Sequence, residues 1–401
     1  MTRQHQAPFD YSISLHPSWM EVDLDALAHN YRQVERMVGS GTKIIASVKG
    51  NGYGLGVVQA SRQFQRLGAH AVATGSFKDA LAIRQAGLDI KVQMFPGNLP
   101  EGIPELLHHE LIPSVYNMET ARMVSSVATK PVATFIKVDC GLARLGVHID
   151  EAEDFIRQVS VLPNLVIEGI YTHLPFENAA GLEWALPRLK QFDDLIVRLK
   201  QAGIEPPVTQ SIASAAAVCG VKSICSTVCV GHLLYGGLDR VTPDMGDLSQ
   251  LRPALKSVKS KLIHIALHPA DTTAGSGGQQ RLKGGSCTGV IPIGLYDGYR
   301  PAARDRKPMT LVRGVRVPVM YITQEYSVLN LTEIGDPQLG EEVVVLGQDG
   351  DDEITIEEMA EWTGDVPLRV LMSFNERFPC RYFGDQSEDH EEGDALAVGD
   401  C

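Results

Sequence analysis

Ile44-Ile45-Ala46-Ser47-Val48-Lys49-Gly50-Asn51-Gly52-Tyr53-Gly54-Leu55-Gly56 is the stretch from which the fold can be read. Ile44–Val48 is short, apolar and bounded by glycines, the pattern of a strand buried on both faces. It runs into a lysine and then a glycine-rich turn. Working outward, similar segments follow at Ala71–Thr74, Lys91–Phe95, Leu111–Tyr116, Thr134–Val138, Ile167–Thr172, Val208–Ile212 and Thr227–Val230. The intervening stretches carry helical periodicity, most clearly Trp184–Gly203. Upstream, Asp23 reads as a helix cap before Leu27, Tyr31, Val34 and Val38.

Parallel strands need helical crossovers, so this alternation implies a parallel sheet. Eight units fit an α/β fold with an N-terminal (β/α)8 TIM-like barrel; an open doubly wound sheet is the competitor. After Arg252 the texture changes to Val-, Ile- and Thr-rich segments broken by Gly and Pro: Leu262–Leu267, Thr288–Pro292, Thr310–Ile322, Tyr326–Leu331 and Glu342–Leu346. This reads as a C-terminal mainly-β domain. Glu21-Val22-Asp23 is expected to lend it a strand, and Thr272–Gly285 to be a loop. The expected organisation is a flexible N-terminal arm (1–18), the barrel (19–252), the β domain (253–384) and an acidic disordered tail (385–401).

Apolar residues make up 44% of the 401, enough for a sizeable core. Net charge is -13, from 36 basic and 49 acidic residues, which argues against nucleic acid or an anionic membrane as partner. No apolar run reaches the roughly 18 residues of a membrane span, and no signal-peptide pattern opens the chain. The seven cysteines form no CxxC pair, so they are expected to be reduced and the protein cytoplasmic. No metal is expected.

Barrel active sites lie where strands end. Lys49 closes the first strand, and burial there favours the neutral amine that Schiff-base chemistry needs. Equally, a lysine at a strand end can simply reach solvent. The fifth strand runs into Lys137-Val-Asp-Cys-Gly-Leu-Ala-Arg144-Leu-Gly146. The sixth ends in Tyr171-Thr172-His173, where a histidine can stack on an aromatic cofactor or do no more than satisfy its neighbours. The seventh ends near Ser214 and the eighth at Gly231-His232. Loops after the last two strands are the usual phosphate site of such barrels, and Ser214 and Gly231 suit that role; ordinary turn chemistry is the alternative.

Together these stretches resemble the alanine racemase family. Val48-Lys49-Gly-Asn-Gly-Tyr53-Gly-Leu-Gly56 is similar to VVKANAYGHG, and Lys137 to Val147 to KVDTGMGRLGV. Tyr171-Thr-His173 is similar to the motif of the ring-stacking histidine. Pro292-Ile-Gly-Leu-Tyr-Asp-Gly-Tyr-Arg300 is similar to PIGYADGYPR, and Gly347 to Ile356 to a late GxxGDEIxI segment. The likeness runs collinearly over about residues 19–383. It implies pyridoxal 5'-phosphate (PLP) joined to Lys49 as a Schiff base. It also implies a homodimer with shared sites and an amino-acid substrate. Tyr53, Ser214, Gly231 and His232 would hold the phosphate. His173 would pack on the ring, and Arg144 would serve both the cofactor's phenolic oxygen and the substrate carboxylate. Lys137 aligns with a lysine that is carbamylated in some members.

The chain also departs from the family pattern. The family's second acid/base tyrosine is replaced by Leu295, with Tyr296 next to it. On an extended segment such neighbours point oppositely. Cys229 stands where an arginine faces the pyridine nitrogen. Thr323-Gln324-Glu325-Tyr326 replaces CMDQ and makes Gln324 the expected substrate contact. Phe374 replaces a phosphate-contacting tyrosine and Leu55 a histidine. The expected function is PLP-dependent racemisation of an amino acid, with Lys49 and Tyr296 moving the Cα proton. A decarboxylase, transaminase or lyase reaction and a non-catalytic PLP-binding role are the alternatives.

Overall fold

The computed structural model describes residues 17–95, 97–237, 242, 245–303, 306–374, 377–384 and 398–400. The arm expected over 1–18 and the tail over 385–401 lie outside the described residues, except for Pro17, Ser18 and Val398–Asp400. Two compact units emerge. One holds Ala26–Tyr53 and Val57–Arg252; the other holds the described residues of Met1–Asp25, Gly54–Gly56 and Pro253–Cys401.

The first unit is a parallel barrel of β1 (Lys43–Ser47), β2 (Ala71–Thr74), β3 (Val92–Met94), β4 (Ser114–Val115), β5 (Val132–Asp139), β6 (Leu165–Tyr171), β7 (Val208–Ile212) and β8 (Thr227–Val230). Its order is β3-β2-β1-β8-β7-β6-β5-β4, and a parallel bridge between Gln93 and Ile112 closes the ring. The open sheet is thereby excluded. Ile45, Ala71, Ala73, Ile112, Phe135, Tyr171 and Val208 fill the interior. Fully apolar strands form because both faces are covered, by these side chains within and by helices outside.

The longest helix, Ala179–Gln201, is capped by Asn178, whose side chain accepts from Gly181 N at 2.9 Å. It buries Ala185, Leu189, Phe192, Leu195 and Leu199 at the spacing of one helical face. No helix among the described residues is long and apolar enough to cross a membrane.

The second unit is mainly β. Its eleven-stranded sheet includes Ser18–Asp23, which pairs antiparallel with Leu255–Lys261 and parallel with Pro379–Phe383. Three expectations are corrected here. The strand foreseen at Leu262–Leu267 starts later, at His264–His268, and a separate strand that the sequence reading missed, Leu255–Lys261, precedes it. The Gly-rich loop is a hairpin: Thr272–Ala274 pairs with Gln280–Leu282, and Gly275, Gly277 and Gly278 supply the positive φ angles of the turn. Cys380 is disulfide-bonded, whereas Cys140, Cys219, Cys225, Cys229 and Cys287 are free. The strand Val398–Asp400 adds to Pro379–Phe383 with Gly399 opposite Cys380, a proximity that spacing along the chain does not reveal.

Candidate active site

Lys49 opens an unusual turn. Gly50 (φ 63, ψ 49), Asn51 (φ 53, ψ 49), Gly52 (φ 64, ψ 41) and Tyr53 (φ 58) are all left-handed. Such backbone is unfavourable for a bulky residue like Tyr53, so the surroundings must hold it. Asn51 N donates to Asp79 Oδ2 at 3.2 Å, and Asn51 Oδ1 accepts from Val57 N at 2.9 Å. Asp79 Oδ2 also accepts from Thr74 Oγ1 at 3.2 Å. Tyr53 is buried against Tyr235 (centroids 4.6 Å apart) and edge-on to His232 (5.7 Å). The result leaves Lys49 at the barrel rim, its Nζ 5.7 Å from the Tyr53 ring centroid.

The ends of β7 and β8 meet beside this turn. Gly231 N donates to Ser214 Oγ at 3.1 Å. A Cβ on Gly231 would collide with the Tyr53 hydroxyl. One backbone N–H, one serine hydroxyl and one phenol therefore converge where only glycine fits. Burial pushes the Tyr53 phenol up, so it stays a neutral donor. A donor set of this kind, without a carboxylate, suits a phosphate.

Behind this cradle lies a cluster of basic groups. Burial lowers the Lys49 amine, and the charge of Arg144 lowers it further; Cys229 opposes both. Lys49 keeps an exposed surface although protein packs closely around it. Burial brings Lys137 down to about 7. Its Nζ has no hydrogen-bond partner and sits 4.6 Å from the Tyr171 ring centroid. His173 is brought down to about 3 by burial and the nearby Lys137, Lys49, Arg144 and His232; His232 is brought down to about 4 by burial and Lys49. The Cys229 thiol is pushed up to about 12 by burial. Neutral imidazoles, a neutral thiol and amines whose charged form burial disfavours suit an anionic, electron-poor ring.

Lys49, Tyr53, Arg144, His173, Ser214, Cys229, Gly231 and His232 thus all belong to the barrel unit. Tyr296 and Gln324 belong to the second unit and are held together there. Leu295 N donates to Thr323 O at 2.9 Å and Tyr296 N to Gln324 O at 2.8 Å. Leu295–Asp297 is a 3-10 turn, not the extended segment assumed from the sequence. Alternation therefore does not apply, and Leu295 (46%) and Tyr296 (65%) are both exposed. Two neighbours escaped the sequence reading. Asp297 accepts from Gly294 N at 2.8 Å and pairs with Arg377 at 3.2 Å. The Arg377 guanidinium lies 4.4 Å from the Tyr296 ring centroid. No local motif marks Arg377.

Residues 22–239 match the family model "Alanine racemase, N-terminal domain", and residues 255–382 match "Alanine racemase, C-terminal domain". The chain belongs to the alanine racemase family. It is 31% identical over 376 residues to an alanine racemase of Thermodesulfovibrio yellowstonii, covering 92% of this chain and 98% of the relative. It is also 31% identical over 367 residues to one from Synechocystis, covering 90% and 98%. Among solved structures, alanine racemase from Clostridium difficile superposes with a TM-score of 0.83 at 23% identity, covering 92% and 96%. The Bacillus anthracis alanine racemase with bound L-Ala-P gives 0.82 at 25%, covering 94% and 97%.

Proposed function

We propose that this member of the alanine racemase family is a PLP-dependent amino-acid racemase. The carrying observation is the convergence of Lys49 with the Tyr53, Ser214 and Gly231 donor set. These residues fit PLP: the amine for its aldehyde, the donors for its phosphate, and neutral His173 beside its ring. Bound PLP supplies the electron sink that makes a Cα proton removable.

Lys49 would hold the cofactor through its amine, and that amine takes or returns the Cα proton on one face. Its depressed pKa raises the fraction able to act as a base. Arg144 holds the substrate carboxylate and Gln324 adds a substrate contact. Tyr296 moves the proton on the opposite face. The chain acts as a homodimer in which the second unit of one protomer completes its partner's site. Cys229, a half-buried neutral thiol, would meet the cofactor's ring without placing a permanent cation there. Lys137 has the unpartnered, partly neutral amine that carbamylation requires. A cytoplasmic location accords with the free Cys140, Cys219, Cys225, Cys229 and Cys287, and the disulfide at Cys380 counts against it.

A second reading is favoured by Leu295, which stands in the family's tyrosine position and cannot move a proton. It has Lys49 working alone, in chemistry that needs only one base. Incubating single enantiomers of alanine and other amino acids in D₂O separates the two readings. Inversion accompanied by α-deuteration supports the racemase. Exchange with retained configuration in every amino acid sinks the two-base reading.

A further inference from the structure

We infer that Arg377 is the positioning residue that holds Tyr296 in its proton-transfer orientation, an inference that rests on the two-base reading above. Tyr296 is 65% exposed on a three-residue turn, where a tyrosine ordinarily samples several side-chain orientations. Proton transfer tolerates little such freedom, since a misplacement of about 1 Å can cost roughly 100-fold in rate.

The structure restrains the ring from two directions. The backbone is tied down by Tyr296 N to Gln324 O (2.8 Å) and Leu295 N to Thr323 O (2.9 Å). The ring face is covered by the Arg377 guanidinium at 4.4 Å. Arg377 is itself oriented by Asp297 (3.2 Å) and Glu325 (3.6 Å). Asp297 closes the loop of contacts, because the same carboxylate accepts from Gly294 N and so fixes the start of the turn. The cation–π contact engages the ring face, so it orients the phenol without using its hydroxyl. A planar guanidinium can stack on a ring and pair with two carboxylates at once; an ammonium reproduces the charge but not the stacking.

The test compares Arg377→Ala and Arg377→Lys with Tyr296→Phe in the full-length holoenzyme. Both α-deuterium exchange and inversion are followed in D₂O. Loss of positioning removes one face of the reaction only. Arg377→Ala is expected to lower inversion about 10- to 100-fold while exchange with retention continues, and Arg377→Lys to restore part of the loss. A parallel fall in both rates, without rescue, means a structural role and overturns the inference.

A second readout needs no activity. With 3-fluorotyrosine incorporated, the Tyr296 resonance is assigned by its absence in Tyr296→Phe. It should sharpen and move toward the free-amino-acid position in Arg377→Ala; an unmoved resonance overturns the inference. The two claims fail separately. Full inversion in Tyr296→Phe removes the two-base reading. Lost inversion in Tyr296→Phe with normal inversion in Arg377→Ala removes Arg377 alone. If Arg377→Ala fails to fold, Arg377→Gln against Arg377→Lys makes the same comparison.

Discussion

The barrel mouth and the Leu295–Asp297 turn are built in opposite ways. Around Lys49 the candidate groups sit at strand ends, Tyr53 and Ser214 buried and His173, Cys229 and His232 partly so, with burial first and one another's charge second in setting protonation. Around Tyr296 they sit on an exposed turn whose contacts include two backbone bonds and the Arg377 guanidinium. Groups in the first setting are electrostatically coupled, since each bears on its neighbours' charge. By sequence resemblance, departures from the family motifs fall in both settings, at Cys229 in the first and at Leu295 and Gln324 in the second. Under the proposed function, cofactor binding belongs to the barrel mouth and the second proton transfer to the exposed turn.

The strongest test of this contrast is Lys49→Ala. It should abolish the visible absorbance of enzyme-bound PLP and lower turnover by about 10³-fold or more. Retained absorbance in a dialysed sample would put the cofactor elsewhere. Next is Tyr296→Phe, expected to lower inversion about 10²- to 10³-fold with PLP absorbance unchanged. If the absorbance falls as well, the two regions are not functionally separate.

Gly231→Ala forces the Tyr53 hydroxyl to move. It should cost about 1–3 kcal/mol of stability and weaken PLP binding in a titration; unchanged affinity would remove Gly231 from the phosphate cradle.

Stability against pH tests the interior more gently. The folded pKa values of His173 and His232, about 3 and about 4, lie below the ordinary 6.5. The unfolded chain therefore binds more protons below that value. The stability contributed by keeping both rings neutral is present above about pH 6.5 and is lost as pH falls toward 4. The slope is at most on the order of 1.4 kcal/mol per pH unit for each ring. Urea melts at pH 7 and pH 5 should show this loss, and His232→Gln should flatten it. The smallest effect is expected from Leu295→Tyr, a gain of a few-fold in inversion at most. A decrease would mean that a tyrosine there obstructs Tyr296.

Much of the barrel was legible because a parallel strand covered on both faces has to be apolar. Ala71–Thr74, Val208–Ile212 and Thr227–Val230 fall where the sequence puts them. β4 keeps only Ser114–Val115 of the longer apolar run, since pairing and not hydrophobicity sets strand ends. The second unit was read less well. Its strands are short and often covered on one face, and glycines hid the Thr272–Leu282 hairpin. Lys49 and its turn were visible as one local motif. Arg377 was not, because its meaning comes from Asp297, Glu325 and Tyr296, which only folding assembles.

Tyr53 and Gly231 illustrate a further consequence. The phenol occupies the volume that any side chain at 231 would need, so the two positions share a single steric allowance. Position 231 cannot gain a side chain while the phenol stays. A library that randomises position 231 while holding Tyr53 would therefore keep little besides glycine. Redesign of this pocket for another cofactor has to vary the two positions as a pair.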